Sequence, residues 1–127
     1  MRDIVHNLGV VNALSAAVQS ASVKTSAVDT KGYGSVMLVI NSGAIASSGN
    51  FTAVLEESDT TVDGDFSAAA AGVTLGSIAN PLTADGIFKI GYAGFKRYVR
   101  LNLTKNSGTS VAFGVTAILG RPASAPV

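Results

Sequence analysis

Charged residues are scarce in this chain of 127 residues. Asp, Glu, Lys and Arg make up 13% of the sequence, whereas an ordinary soluble domain contains about 25%. The mean hydropathy is positive, at +0.41, yet the apolar residues fall in short runs that are too short to cross a bilayer as a helix. A folded domain with so few surface charges has little electrostatic repulsion to prevent association with neighbouring molecules. This composition therefore favours a surface that partners cover.

Further absences exclude several kinds of chemistry. The chain has no Cys, so it offers no disulfide, no thiolate metal ligand and no thiol nucleophile. Its one imidazole, His6, lies near Asp3 in an N-terminal arm, where we expect a contact residue rather than the base of a Ser-His-Asp site. With no convergent acid-base set, we expect neither an enzyme nor a bound cofactor. A net charge of +1 gives no argument for nucleic acid or for a membrane surface as a partner.

Alternation of side chains along the sequence predicts β-strands that bury one face. The short runs contain many β-branched residues, and turn residues separate them. The predicted inward faces consist of Phe51, Ala53 and Leu55; of Phe88, Ile90 and Tyr92; of Arg97, Val99, Leu101 and Leu103; and of Val111, Phe113, Val115, Ala117 and Leu119.

Two pairs of strands are predicted to form hairpins. The first joins residues 36–40 to residues 51–57 through a loop at 46–50, and the second turns at residues 106–108. Residues 36–40 and 111–119 are largely apolar on both alternating faces, which is typical of strands covered on both sides. A short helical excursion is expected at residues 68–71.

Six to eight short strands, with no long helix between them, predict an all-β fold. We expect an antiparallel jelly-roll-like β-sandwich over residues 13–120. Residues 1–12 are predicted to form an extended N-terminal arm that orders against a neighbour, and residues 121–127 an extended C-terminal tail.

The few charges gather in an acidic stretch, residues 56–65, and in a basic strand, residues 96–100. The acidic stretch lacks the regular spacing of a calcium-binding loop, so we interpret it as a solvated loop and predict no metal site, while a bound cation there stays open. The basic strand interleaves cations with aromatic residues, but alternation splits three cations between two faces, which makes a weak nucleic-acid footprint. An intersubunit polar contact is the preferred interpretation, in which the basic strand meets an acidic loop, such as residues 59–65 of a neighbour or a loop of a shell protein. The predicted interface residues are Arg2, Ile4, Val5, Tyr92, Phe95, Lys96, Arg97, Tyr98, Arg100 and Arg121.

Several segments of the sequence, in this order, resemble a family of small structural proteins of tailed bacteriophages and prophages. The resemblance covers nearly the whole chain and contains no catalytic signature. The segments are Gly32-Tyr33, Val39-Ile40-Asn41, Leu55-Glu56-Glu57-Ser58-Asp59, Lys89-Ile90-Gly91-Tyr92, Lys96-Arg97-Tyr98-Val99-Arg100, Leu119-Gly120-Arg121-Pro122 and Ala125-Pro126-Val127.

This resemblance implies a capsid decoration (cement) protein, bound to the outer surface of the phage head. We expect its partners to be the major capsid protein and its own copies, in a homo-oligomer for which a trimer is preferred over a dimer. The N-terminal residues do not resemble a secretory signal, so assembly is expected in the host cytoplasm. The alternatives are a head-tail connector or tail component of the virion, and a receptor- or glycan-binding module.

Overall fold

The chain folds into two antiparallel β-sheets, as a computed structural model of residues 2–78 and 80–123 shows. Sheet A has the strand order β1-β10-β4-β8-β7, and sheet B the order β2-β9-β5-β6, with β3 also paired to β9. This architecture confirms the predicted all-β sandwich. In the described part of the chain, no helix is long and apolar enough to cross a membrane. The strands are β1 (Gly9–Gln19), β2 (Val23–Lys24), β3 (Val28–Asp29), β4 (Tyr33–Ala46), β5 (Asn50–Ser58), β6 (Ser67–Ala68), β7 (Thr74–Leu75), β8 (Ile87–Tyr92), β9 (Tyr98–Ser107) and β10 (Ser110–Pro122).

The hydrophobic core lies between the two sheets, where the predicted inward faces meet. All of those side chains are buried except Phe88, which is half-buried, and Arg97, which is exposed because β9 begins only at Tyr98. Phe51 of sheet B packs edge-on against Phe113 of sheet A, with ring centroids 5.3 Å apart. Because burial of large apolar side chains is the main favourable term in folding, these alternating faces hold the sandwich together.

The two predicted hairpins are wrong. β4 and β5 lie in different sheets, and so do β9 and β10. Residues 33–58 instead pair with residues 98–122 as one antiparallel ribbon that bends from sheet A into sheet B. The ribbon is continuous, because Ala46 opposes Ser110 just before the bend and Asn50 opposes Ser107 just after it.

Turn chemistry at the bend redirects each strand into the other sheet and does not reverse it. Ser47 and Ser48 have positive φ angles, as does Gly108 in the neighbouring turn. Turn-forming residues mark where a strand changes direction, but they leave open which strand it pairs with afterwards. For this reason both turns were predicted at the right positions, whereas the strand pairings predicted on either side of them were wrong.

The boundary drawn after residue 12 also needs correction. β1 begins at Gly9, which opposes Leu119, and Asn12 opposes Thr116. The N-terminal arm therefore ends at residue 8. The reason is that residues 9–12 continue the ladder along residues 116–119 of β10, which leave a strand edge free for them to pair with.

At the other end of the chain, the predicted tail begins inside a strand. β10 continues through Arg121 to Pro122, which opposes Tyr33. Proline is tolerated at such a strand end because no further ladder bond from its nitrogen is required. Residues 124–127 of the predicted tail lie outside the described residues.

The helical excursion expected at residues 68–71 is displaced. Ser67–Ala68 form β6, and a single 3-10 turn follows at Ala71–Val73. The small side chains there are compatible with both a helical turn and a strand. Ala68 adopts the strand conformation because it pairs with Glu56 of β5.

The expectation that residues 36–40 and 111–119 are covered on both sides is not met within one chain. Val36, Leu38 and Ile40 are buried, whereas Met37 and Val39 on the opposite side are half-exposed. The sheets cover one another only on their inner sides. The outer side of sheet A is left uncovered by the described part of the chain.

Candidate assembly surfaces

A row of apolar side chains crosses the outer side of sheet A. Val10 on β1 opposes Ile118 on β10, which in turn opposes Met37 on β4. The row continues through Gly91 on β8 to Leu75 on β7. The two ends of the row are open to solvent, since Val10 is 69% exposed and Leu75 is 57% exposed.

Further apolar side chains extend this row along the strands. Ile87 is 73% exposed and Val18 is 69% exposed, so most of each residue is open to solvent. Lys89 is the one charged side chain that the described strands place on this side between the rows of Val10 and Val18. We call this surface the apolar face, which consists of Val10, Val18, Met37, Val39, Leu75, Ile87, Ala112 and Ile118.

The apolar face contains two shallow grooves. The larger, of about 580 Å³, lies beside β7 and β8 and is lined by Met37, Leu75 and Ile87. The smaller, of about 360 Å³, lies where Val18 of β1 and Ala112 of β10 approach β4. The register also places Asn12, Thr116 and Asn41 on this side, so polar side chains interrupt the face between its outer rows. Exposed apolar surface of this extent marks a site of interaction with another molecule.

The outer side of sheet B is polar, and its charges are paired within the chain. Arg100 is buried, and its guanidinium lies 2.8 Å from Glu56 and 2.7 Å from Asp63. The guanidinium also lies over the Phe66 ring, 4.0 Å from its centroid. The hydrogen bond from Arg100, supported by one from Lys24, holds the pKa of the Asp63 carboxyl below its ordinary value.

These pairs correct the interpretation of the basic strand. The acidic loop that faces it belongs to the same chain, since Lys96 is 2.9 Å from Asp59 and Arg100 contacts Asp63. A neighbour's acidic loop is therefore not required to neutralise either cation. The reason is the sheet register, which places residues 56–58 of β5 beside residues 98–100 of β9.

A short loop, residues 93–97, connects β8 to β9 and presents Phe95 fully exposed to solvent, at 100%. The buried side chain of Tyr92 holds this loop in place through hydrogen bonds of its hydroxyl group. The Tyr92 hydroxyl donates to Glu57 Oε1 at 2.7 Å and accepts from the Lys96 backbone N–H at 3.1 Å. Burial, together with the hydrogen bond to Glu57, raises the pKa of Tyr92 to about 12.

Next to this loop, Arg97 forms a two-point contact with Asp29. Its Nε and Nη2 atoms lie 2.9 and 2.8 Å from the two carboxylate oxygens. These hydrogen bonds lower the pKa of Asp29 to about 2. The guanidinium also lies 5.0 Å from the centroid of the half-buried Tyr98 ring.

The N-terminal segment forms a turn of its own. The Asp3 carboxylate accepts from the His6 backbone N–H at 3.1 Å, and its other oxygen lies 2.7 Å from His6 Nδ1. The side-chain contact with His6 lowers the pKa of Asp3. The turn leaves Ile4 and Val5 exposed, at 58% and 76%.

Strand register brings the N-terminal turn and the β8–β9 loop to one end of the sandwich. β1 starts opposite Leu119, which opposes Val36 and, through it, Tyr92. Strands are about 4.8 Å apart, so roughly 14 Å separates β1 from β8. We call this region the arm end. It consists of Arg2, residues 3–7, residues 29–32, residues 93–97 and Arg121.

The predicted interface residues thus have different environments. Ile4, Val5 and Phe95 are exposed apolar residues of the arm end, where Arg2 and Arg121 are exposed cations. Lys96, Arg97 and Arg100 are paired within the chain, and Tyr92 is a buried support for the β8–β9 loop.

None of the predicted interface residues lies on the apolar face. One signal for it was present, since residues 36–40 are apolar at every position after Ser35. Exposed Val10, Leu75 and Ile87 gave no such signal, because only the sheet order places them in one plane.

No group of three or more His, Asp or Glu side chains among residues 2–78 and 80–123 is arranged to hold a metal ion. Comparison with known proteins finds no family model that matches the chain and no curated protein that matches it.

Proposed function

We propose that this protein is a structural subunit of a bacteriophage virion, and specifically a decoration protein that binds the outer head lattice as a homo-oligomer. The observation that carries the proposal is the uncovered apolar face of sheet A, opposite a polar sheet B whose ions are already paired. The segments that resemble small virion proteins support the phage assignment. The ribbon that bends between the sheets supports the jelly-roll-like description of the fold.

We assign the apolar face to contact with a second copy of the chain. Strands β1, β10 and β4 contribute about nine residues each, β8 contributes 6 and β7 contributes 2. At about 16 Å² per residue, set by the strand spacing and the rise, they make a face of roughly 570 Å². Two such faces together reach roughly 1,100 Å², which exceeds the ~1,000 Å² expected of a biological interface. Lys89 lies on this face between Gly91 and Ile87, in the part of β8 that pairs with β4 alone. Its long side chain can therefore keep the ammonium group in water at the rim while a second copy covers the apolar row.

A face that contacts its own copy closes as a twofold dimer. This geometry makes the dimer our proposal, and the trimer preferred from the sequence is the other closed arrangement. On a shell, many such oligomers act together, because each ligand that binds only the intact lattice shifts the equilibrium towards that lattice.

The first test measures self-association. Light scattering at increasing protein concentration should give a mass above that of the 12.8 kDa chain. The double variant Val10→Lys with Ile87→Lys should be a monomer, because burial of two ammonium groups opposes the contact. The matched control is Val54→Lys, which places a cation at a position that is 43% exposed on sheet B and should leave the mass unchanged.

A monomeric wild-type protein at high concentration contradicts this self-association. So does an oligomer that the double variant and the control affect equally.

The second test locates the protein in the particle. In purified virions we expect many copies on the outer head surface, and in shells stripped of the protein we expect rebinding and greater resistance to heat. Density at the head-tail junction, in few copies, would instead favour the connector.

A further inference from the structure

We propose that the arm end is the surface that docks to the shell, and that its partner is an acidic protein surface with an apolar pocket for Phe95. The inference rests on the proposed function, because it takes the shell subunit as the partner. It adds the chemistry of the contact and assigns it to a surface separate from the apolar face.

Phe95 has the properties of an anchor residue. Its ring is wholly exposed, and it lies in a loop whose backbone is tied to Tyr92 through the Lys96 N–H at 3.1 Å. Tyr92 is itself held by Glu57 at 2.7 Å. An aromatic ring on a fixed loop loses little conformational freedom on binding, so its burial adds more to affinity.

The N-terminal turn presents a second apolar contact in the same way. Asp3 fixes the turn through His6, and the Asn7 side chain donates to the Asp3 carbonyl at 2.6 Å. Ile4 and Val5 project from this turn with most of their surface exposed. With Phe95, they form two apolar contacts on one end of the sandwich.

The charges of the arm end indicate the sign of the partner. Both carboxylates there already have a polar partner, since Asp3 has His6 and Asp29 has Arg97. Asp59, outside the arm end, pairs with Lys96. Within residues 2–78 and 80–123, the side chains of three cations at this end form no ion pair or hydrogen bond; these are Arg2, Lys31 and Arg121.

Two of these cations lie close to the end of the sheet. Arg121 packs against Gly34, where an added Cβ would lie 3.1 Å from the Arg121 Cβ. Lys31 follows Asp29 in a turn closed by the Tyr33 N–H bond to the Thr30 carbonyl at 3.0 Å. The unsatisfied charge of the arm end is therefore positive, and a complementary partner supplies carboxylates around an apolar pocket.

Co-sedimentation with stripped shells tests the proposal. Phe95→Ala should weaken binding by about tenfold or more, because it removes the proposed anchor. The triple reversal Arg2→Glu, Lys31→Glu and Arg121→Glu should weaken it by about tenfold or more, and wild-type binding should weaken as salt is raised. The matched control, Lys105→Glu, reverses a cation near the opposite end of β9 and should leave binding unchanged.

The oligomer mass of each variant, measured in parallel, should equal that of the wild type, because the apolar face is intact. Circular dichroism checks that each variant is folded.

The outcomes separate the two proposals. If wild-type protein does not bind stripped shells, the proposed function fails. If wild-type protein binds and the arm-end variants bind equally well, the docking surface is wrong while the function stands. Loss of binding in the Lys105→Glu control to the same degree would also overturn the docking surface, as would full competition by duplex DNA, which would indicate a phosphate-binding surface.

Discussion

At the residue scale, two arginines of similar sequence context have different energetic roles. The Arg100 side chain is 8% exposed and lies beside Glu56, whose side chain is 14% exposed. The Arg97 side chain is 46% exposed, as expected for a surface pair with Asp29. Breaking a buried pair leaves an uncompensated charge in a poorly solvated site, whereas water solvates the partner that remains at a surface site.

We therefore expect Arg100→Met to lower the free energy of unfolding by about 3 kcal/mol. Arg97→Met, the matched control, should lower it by less than about 1 kcal/mol. Urea unfolding followed by fluorescence or circular dichroism measures both. Equal losses at the two positions would show that the guanidinium of Arg100 is better solvated than its burial indicates.

The residue scale also shows what a sequence can reveal about a charged strand. Alternation in residues 98–104 correctly placed Val99 and Leu101 inward and Arg100 outward. The sequence could not show that Glu56 and Asp63 neutralise Arg100, because that contact depends on which strand lies beside β9. The expected intersubunit partner was therefore an acidic loop of the same chain.

At the element scale, the corner between the sheets depends on close packing of two turns. Gly108 has a φ of +76°, and a Cβ added there would overlap the backbone of Ser48 in the neighbouring turn. Both the positive φ and the overlap oppose any side chain at this position. The chain passes from sheet A to sheet B between β4 and β5, and it returns to sheet A between β9 and β10 at the same corner. The contact between Gly108 and Ser48 therefore holds both connections in place.

Gly108→Ala is expected to reduce the free energy of unfolding by more than about 2 kcal/mol. Gly64→Ala is the matched control, since a Cβ at Gly64 meets no atom within 4 Å and its effect should be less than about 1 kcal/mol. Thermal unfolding monitored by circular dichroism compares the two. A neutral Gly108→Ala variant would mean that the turns move apart at no cost.

The strand pairing at this corner could not be predicted from the sequence. Strand periodicity is a local property, and it identified the inward faces of β5, β8, β9 and β10. Strand pairing is a property of residues far apart in the chain, such as Ala46 and Ser110. The exposed edge positions Val10 and Leu75 belong to one surface only after that pairing is known.

At the scale of the whole molecule, the scarcity of charge becomes a difference between two faces. Sheet B carries the Arg100 ion pairs on its outer side, while the apolar face of sheet A carries Lys89 as its charged residue among the described strands. A monomer with this distribution exposes apolar surface that a second copy can cover. The stability of the protein should then depend on its concentration.

If two copies cover the apolar face, each tenfold rise in concentration adds up to about 1.4 kcal/mol to the apparent stability of the dimer. For a chain of this size, that corresponds to a rise of a few degrees in Tm. Calorimetry over a hundredfold range of concentration should show this rise for wild type and for Val54→Lys. The Val10→Lys and Ile87→Lys double variant should show none, since it remains a monomer throughout. A Tm that is independent of concentration in all three proteins would contradict self-association through the apolar face, because mass action must couple folding to any contact that only folded copies can make.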